Sequence, residues 1–251
     1  MFGLEFPPIS HTVEWPDIFG SGPFAVNKVV LLMWVSALIV FLFFFVASRK
    51  QSLVPVGVRN VAESVVDFIR EGVVLQTMGP AGLAWTPFLL TLFSFIAVCN
   101  IWGIVPGIQM PVNARIALPA FLAIVAWVLF NFVGIKSQGL GGYFKSMLFP
   151  PGVPKALYIL VTPIELVSTL LVRPLSLAVR LFANMLAGHL LLISFAVIAT
   201  ALFESTVVGA AVPGALLVAL TGFELLVVVL QAFIFTILTA VYIGGAMNPE
   251  H

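Results

Sequence analysis

The sequence predicts an all-α, polytopic integral membrane protein, on three observations. Hydrophobic residues make up 61% of the 251 and charged residues only 8%, against roughly a quarter charged in an average soluble domain. Mean hydropathy is +1.18. Apolar runs such as 29–47 and 186–203 approach the roughly 20 residues that cross a hydrocarbon layer.

Other classes are excluded by what the chain lacks. Eleven Lys and Arg stand against ten Asp and Glu, a net charge of +1, so no basic excess exists to grip nucleic acid. The single cysteine, Cys99, rules out an intrachain disulfide framework, a zinc cluster or a CxxC pair. No GxxxxGK, HExxH or GxSxG occurs, so the chain is expected to do no nucleotide or peptide chemistry by itself and to need neither cofactor nor metal. The first residues carry three acids and no Lys or Arg, unlike the basic start of a secretory leader. Residues 1–25 are read as an extracytoplasmic tail.

The elements follow in order within one membrane domain. Residues 26–48 are apolar all round, as a lipid-facing span is, and stop at Arg49 and Lys50. In 55–78, Arg59, Asn60, Glu63, Asp67, Arg70 and Glu71 recur at three- and four-residue steps between valines and other apolar residues, which predicts an amphipathic helix lying at the membrane interface. Residues 85–105 and 116–135 are two more spans, forming a hairpin around the Pro- and Gly-containing turn 106–113. Lys136, Lys145 and Lys155 surround a Gly- and Pro-rich connector, 139–154.

Residues 156–203 are almost continuously helix-compatible. At 1.5 Å per residue they would measure roughly 70 Å, over twice the hydrocarbon thickness. Pro163 and Pro174 can kink such a helix. Residues 212–247 would measure roughly 50 Å. Joined by the turn 204–211, the two predict a long, strongly tilted C-terminal hairpin. The basic residues gather in the loops after the first span and after 135, while Lys28 and Arg115 stand on the other side. With five spans, this places the N-terminus outside and the C-terminus in the cytoplasm.

The polar residues inside these long segments carry the functional signal. Taking Glu165 as origin, Thr169, Arg173, Ser176, Arg180 and Asn184 fall at about 40°, 80°, 20°, 60° and 100° on a regular helix, a single polar stripe. His189 falls at about 240°, opposite Arg180. Glu224 and Gln231, seven residues apart, share a face of the final helix. In an antiparallel hairpin, level residues have nearly constant number sums: His189 with Glu224 totals 413 and Arg180 with Gln231 totals 411. Both place the apex near 206 and set the His189–Glu224 level roughly 10 to 14 Å outside the other.

Simpler readings exist for most of these residues. Thr169 and Ser176 can bond their own backbone, Asn184 and Gln231 can hold helices together, and Glu165 and Arg173 can reach the interface. His189 and Glu224 can be a static ion pair or a pair that passes a proton. Arg180, mid-segment, costs on the order of 3 kcal/mol or more as a lone cation and cannot reach water.

The stretches RPLSLAVRLFANMLAGH (173–189) and ELLVVVLQAFIFTILTAVY (224–242) closely resemble the a subunit of F-type ATP synthases, the stationary proton-channel subunit of the membrane sector. NIWGIVPG (100–107) and the order of spans resemble it more weakly. The resemblance implies that Arg180 is the essential arginine, that His189, Glu224, Asn184 and Gln231 line a proton path, and, less directly, that Glu165 and Ser176 belong to it. Some family members carry Glu and His at the 189 and 224 positions in the reverse order. It further implies a rotating ring of small carboxylate-bearing hairpins (the c ring), b-type peripheral-stalk subunits and lipid as partners. Two offset half-channels would load and unload the ring's protons, in the inner (plasma) membrane of a bacterium, and so drive ATP synthesis.

Two rival classes make different demands. A secondary transporter usually shows internal repeats and paired broken helices, and no convincing repeat is found. A structural scaffold has no need of Arg180.

Length alone makes a testable prediction. Upright, 156–203 and 212–247 would expose apolar surface to water at roughly 25 cal/mol per Å². Both helices are therefore expected to lie well outside the roughly 0 to 40° tilt usual for spans. Polarised infrared spectroscopy of segmentally labelled protein in oriented bilayers reads the tilt directly, and both helices within about 30° of the normal would refute this.

Overall fold

The computed structural model describes residues 17–20, 25–49, 56–105, 107–149, 157–205 and 207–247. Most of the predicted tail, Lys50, Lys155 and residues 248–251 lie outside the described residues. A short antiparallel ladder pairs β1 (Asp17–Phe19) with β2 (Val26–Asn27). Helix α1 (Lys28–Arg49) starts where the Asn27 carboxamide oxygen accepts the Val30 N–H at 3.1 Å, satisfying one of the donors that a helix start leaves without a partner. Its buried residues Val29, Leu32, Ser36 and Val40 form one stripe, while Leu31, Trp34, Leu38 and Phe41 are exposed, as lipid-facing residues are.

The amphipathic segment is α2 (Val58–Ile69), continued through a π-turn (Arg70–Val74) and a last turn, Leu75–Thr77. Ala62, Ile69, Val73 and Val74 are buried, whereas Asn60, Asp67, Arg70 and Glu71 are exposed. A 3-10 turn (Pro80–Trp85) leads into α3 (Thr86–Ile101). A second 3-10 turn, Val112–Ala114, precedes α4 (Ala117–Leu148).

Helix α4 runs through much of the Gly-rich stretch expected to be a connector, and Gly139 explains how. At φ 73° and ψ 161° it occupies a region essentially reserved for glycine, so the chain turns there and helix resumes. The resumed part packs back: the Tyr143 ring lies where a side chain at Gly134 would be, and its hydroxyl donates to the Asn131 carboxamide oxygen at 2.9 Å. Composition marks the break, but not the helix on its far side.

Helix α5 (Tyr158–Val167), a π-turn (Ser168–Val172) and α6 (Arg173–Ser205) run without interruption, and α7 is Val207–Met247. Where a turn is expected at 204–211, the described residues up to Ser205 and from Val207 are helical, and residue 206 lies outside the described residues. Among the described residues, five segments are long and apolar enough to cross a membrane: Lys28–Arg49, Pro80–Ile101, Ala117–Leu148, Tyr158–Phe203 and Ala211–Met247. The protein is therefore an all-α polytopic membrane protein, and its last two membrane-length segments, of 46 and 37 residues, are the longest of the five.

Two compact units divide the chain. One holds the described parts of Met1–Phe44, Ser94–Arg115 and Leu181–Ala232; the other holds those of Phe45–Phe93, Ile116–Arg180 and Phe233–His251. In the second, Phe68 packs against Phe93 and Phe233 at ring separations of 5.9 and 5.5 Å. Ser137 Oγ and Gln138 Nε2 both donate to the Ala246 carbonyl at 3.0 and 3.1 Å, capping the end of α7.

The π-turn before α6 follows from Pro174. Proline has no N–H to offer the Leu170 carbonyl, and its ring crowds that carbonyl. The turn widens, so the Arg173 N–H reaches the Ser168 carbonyl, five residues back. The Thr169 carbonyl is then left over: its α-helical partner is engaged, and the next residue is proline. Trp127 supplies the missing donor, its indole Nε1 lying 3.0 Å from the Thr169 oxygen.

Trp127→Phe should therefore orphan this carbonyl and destabilise the protein by about 1 to 3 kcal/mol. The same change in a Pro174→Ala background, where the regained N–H lets a regular turn form, should cost less. Unfolding midpoints of the four proteins in detergent give the coupling, and equal costs in both backgrounds would contradict the account.

Candidate functional site

Helix α6 has a buried side with Leu177, Leu181, Met185 and His189, and exposed positions at Leu175, Val179, Ala183, Asn184 and Ala187. These sets repeat at four-residue steps because the helix turns every 3.6 residues. Arg180 is half-buried. Among the described residues its guanidinium makes no hydrogen bond or ion pair.

In the first unit, the structure joins Asn184 and Gln231: the Asn184 amide donates to the Gln231 carboxamide oxygen at 2.7 Å, with Gln231 only 2% exposed. Number sums pair Gln231 instead with Arg180, one helical turn away. Glu224 is buried, and its carboxylate lies against the Cα of Gly188, in the space a side chain there would fill. A Cβ at 188 would meet that carboxylate, so Glu224 would have to swing aside. His189, the next residue, is likewise buried. No hydrogen bond or ion pair joins His189 to Glu224. They are brought to the same level, as the hairpin arithmetic expects, without a direct bond.

His189 borders a cavity of about 200 Å³, lined also by Gly103, Ile104 and Gln109, by Leu192, Ile193 and Ala196 of α6, and by Leu217 and Thr221 of α7. That is room for several water molecules beside a group that can take and give a proton. Most of the lining is apolar, with His189, Gln109 and Thr221 as its polar side chains.

In the second unit, Glu165 Oε2 lies 3.8 Å from Arg173 Nη2. Both side chains are about a third exposed, so the pair contributes little to stability. The Arg173 guanidinium carbon stands 5.4 Å from the centre of the Tyr242 ring, within reach of the ring's negative face. Ser176 is half-buried and joins none of these contacts; Thr169 is buried. The single stripe expected from Glu165 to Asn184 assumes a regular helix. The π-turn at Ser168–Val172 inserts a residue, so Glu165 and Thr169 are out of phase with Ser176, Arg180 and Asn184.

Three neighbours of these residues carry no strong sequence signal of their own. Tyr242 lies eighteen residues after Glu224, five full turns and so the same face, which periodicity could have found. Gly188 could be suspected only once Glu224 was placed opposite. Gln109 sits in an irregular turn, where periodicity is silent.

Comparison with known proteins identifies the family. Residues 30–244 match the family model described as ATP synthase A chain. A protein named ATP synthase subunit a from Frankia alni is 46% identical over 258 residues, covering 99% of this chain and 88% of that protein. Its namesake in Parafrankia is 46% identical, covering 97% and 84%, and the one in Streptomyces lividans is 40% identical, covering 99% and 90%. With the match running from α1 almost to the end of α7, the chain belongs to the ATP synthase A chain family, as a membrane subunit of that enzyme.

Proposed function

We propose that the chain is the stationary proton-channel subunit of an F-type ATP synthase in a bacterial plasma membrane, with its N-terminus outside and its C-terminus in the cytoplasm. It loads and unloads protons on the carboxylates of a rotating ring, and b-type stalk subunits hold it still. The observation that carries this reading is Arg180: a permanent cation in an apolar helix, half-buried, with no counter-charge among the described residues. Such a charge costs on the order of 3 kcal/mol or more in hydrocarbon, and on this reading a carboxylate of another chain answers it. The exposed positions near it, Val179, Ala183, Asn184 and Ala187, are mostly small or apolar and suit a helix packed against them.

On this reading a ring carboxylic acid crosses lipid protonated and gives up its proton where Arg180 stabilises the anion. Arg180 also keeps protons from leaking directly between the two half-channels, because a bare proton meets a fixed positive charge. The outer half-channel uses His189, Glu224 and the Asn184–Gln231 pair. The inner one uses Glu165 and neighbouring polar groups, with Ser176 as a further member on another face. Flow is driven by about 2.3 kcal/mol per charge per 100 mV.

Arg180→Ala is expected to abolish proton-driven ATP synthesis in reconstituted liposomes while the complex stays assembled. Near-normal synthesis would remove Arg180 from the centre of the mechanism.

His189 and Glu224 are expected to act as one unit. Each change to Ala should slow proton conduction, and the double exchange His189→Glu with Glu224→His should recover more conduction than either single exchange. A double exchange no better than the worse single one would show that the two groups are not coupled.

A further inference from the structure

Gln109 is exposed, yet it lines the same cavity as His189, which is 4% exposed. The cavity thus has one polar lining group at the surface and another deep within the unit. Gln109 is also held in an unusual backbone conformation. At φ +42° it is the only described residue other than glycine in the left-handed region, where a Cβ is crowded by its own backbone. Two residues earlier the loop uses glycine for a similar need, Gly107 at φ +85°. At 109 a side chain is kept in spite of the strain. Strain of this kind persists only where the surroundings impose it, and it concentrates at functional sites.

The surroundings do impose it. The Gln109 N–H donates to the Val105 carbonyl at 3.0 Å, and the Met110 N–H donates to the Trp102 carbonyl at 3.2 Å. On the other side, Lys28 Nζ donates to the Ile108 carbonyl at 3.2 Å, tying the loop to the first turn of α1. Met110 itself is 1% exposed, so its buried side chain anchors the far end of the loop. The loop is a fixed rim with Gln109 on it.

We propose that Gln109 is the entrance residue of the outer proton route, a positioning residue whose neutral amide keeps a hydrogen-bonded path continuous from solution to His189. This rests on the reading of His189 as part of that route. A carboxamide can accept from one water and donate to another at the same time. It carries no charge, so it neither traps a proton as a carboxylate would nor repels one as an ammonium would.

The test uses the assembled complex in liposomes, measuring potential-driven proton flux through the membrane sector. Gln109→Leu should lower flux roughly fivefold, while Gln109→Asn, which keeps the amide and tolerates the backbone, should stay within about twofold of the parent. A Leu variant conducting like the Asn variant overturns the proposal. If the Leu variant does not assemble, Gln109→Cys replaces it, treated with a bulky membrane-impermeant thiol reagent from the outer side. The native Cys99 is buried and should not react. Labelling should block flux; labelling without block, or no labelling, overturns the proposal. His189→Ala run in parallel separates the two failures: normal flux there defeats the half-channel reading itself, whereas impaired flux there with a freely conducting Leu variant defeats only the role of Gln109.

Discussion

A polar group in hydrocarbon has no water to turn to, and the cost of leaving it unpaired governs this structure. The backbone illustrates it at Pro174. One missing N–H widens a turn, strands the Thr169 carbonyl, and calls in Trp127 from another helix. The end of α7 repeats the pattern, with Ser137 and Gln138 meeting the Ala246 carbonyl. Side chains obey the same rule: Ser36 donates to the Leu32 carbonyl and accepts from the Trp102 indole, and Asn184 pairs with Gln231.

Against that background the groups left without partners become informative. Arg180, His189 and Glu224 lie in membrane-spanning helices, and none makes a hydrogen bond or ion pair among the described residues. A structural role is an expensive explanation for all three, since packing alone would be better served by apolar residues of similar size. Their chemistry also differs in a useful way. Arginine stays charged, whereas imidazole and carboxylate can each take up and release a proton. A permanent cation together with two exchangeable groups is the composition the proposed proton route needs.

Much of this is legible in the sequence, for physical reasons that also mark where legibility stops. Spans are read by length and apolarity, so the first span expected at 26–48 is found as Lys28–Arg49, and the overlong last two are visible from counting alone. Levels in the hairpin are readable because helical rise is constant, and the Glu224 carboxylate does lie beside residue 188. Faces are less secure. A single π-turn shifts the phase of everything before it, and from sequence Pro174 reads as a generic kink instead of as the cause of one. Residues 140–148 do not read as helix because glycine content signals a break and says nothing about the structure that resumes after it. Gln109 is out of reach altogether: its importance comes from a backbone angle and a shared cavity, neither of which has a sequence period.

The two kinds of polar residue near the proposed route answer one electrostatic problem in opposite ways. Where a proton must pass, a neutral amide costs less than a charge and leaves no deep well in the path, which is the part proposed for Gln109 at the rim and for Asn184 with Gln231. Where a proton must not pass, a fixed charge is the more effective group, because hydrocarbon strengthens its field and no ambient pH removes it. The expense of keeping Arg180 in an apolar helix is then the source of its usefulness. A guanidinium fully paired within its own chain would be cheaper to bury, but it would have little field left for a carboxylate arriving on another subunit. Arg180, half-buried and without an ion pair among the described residues, keeps that field available.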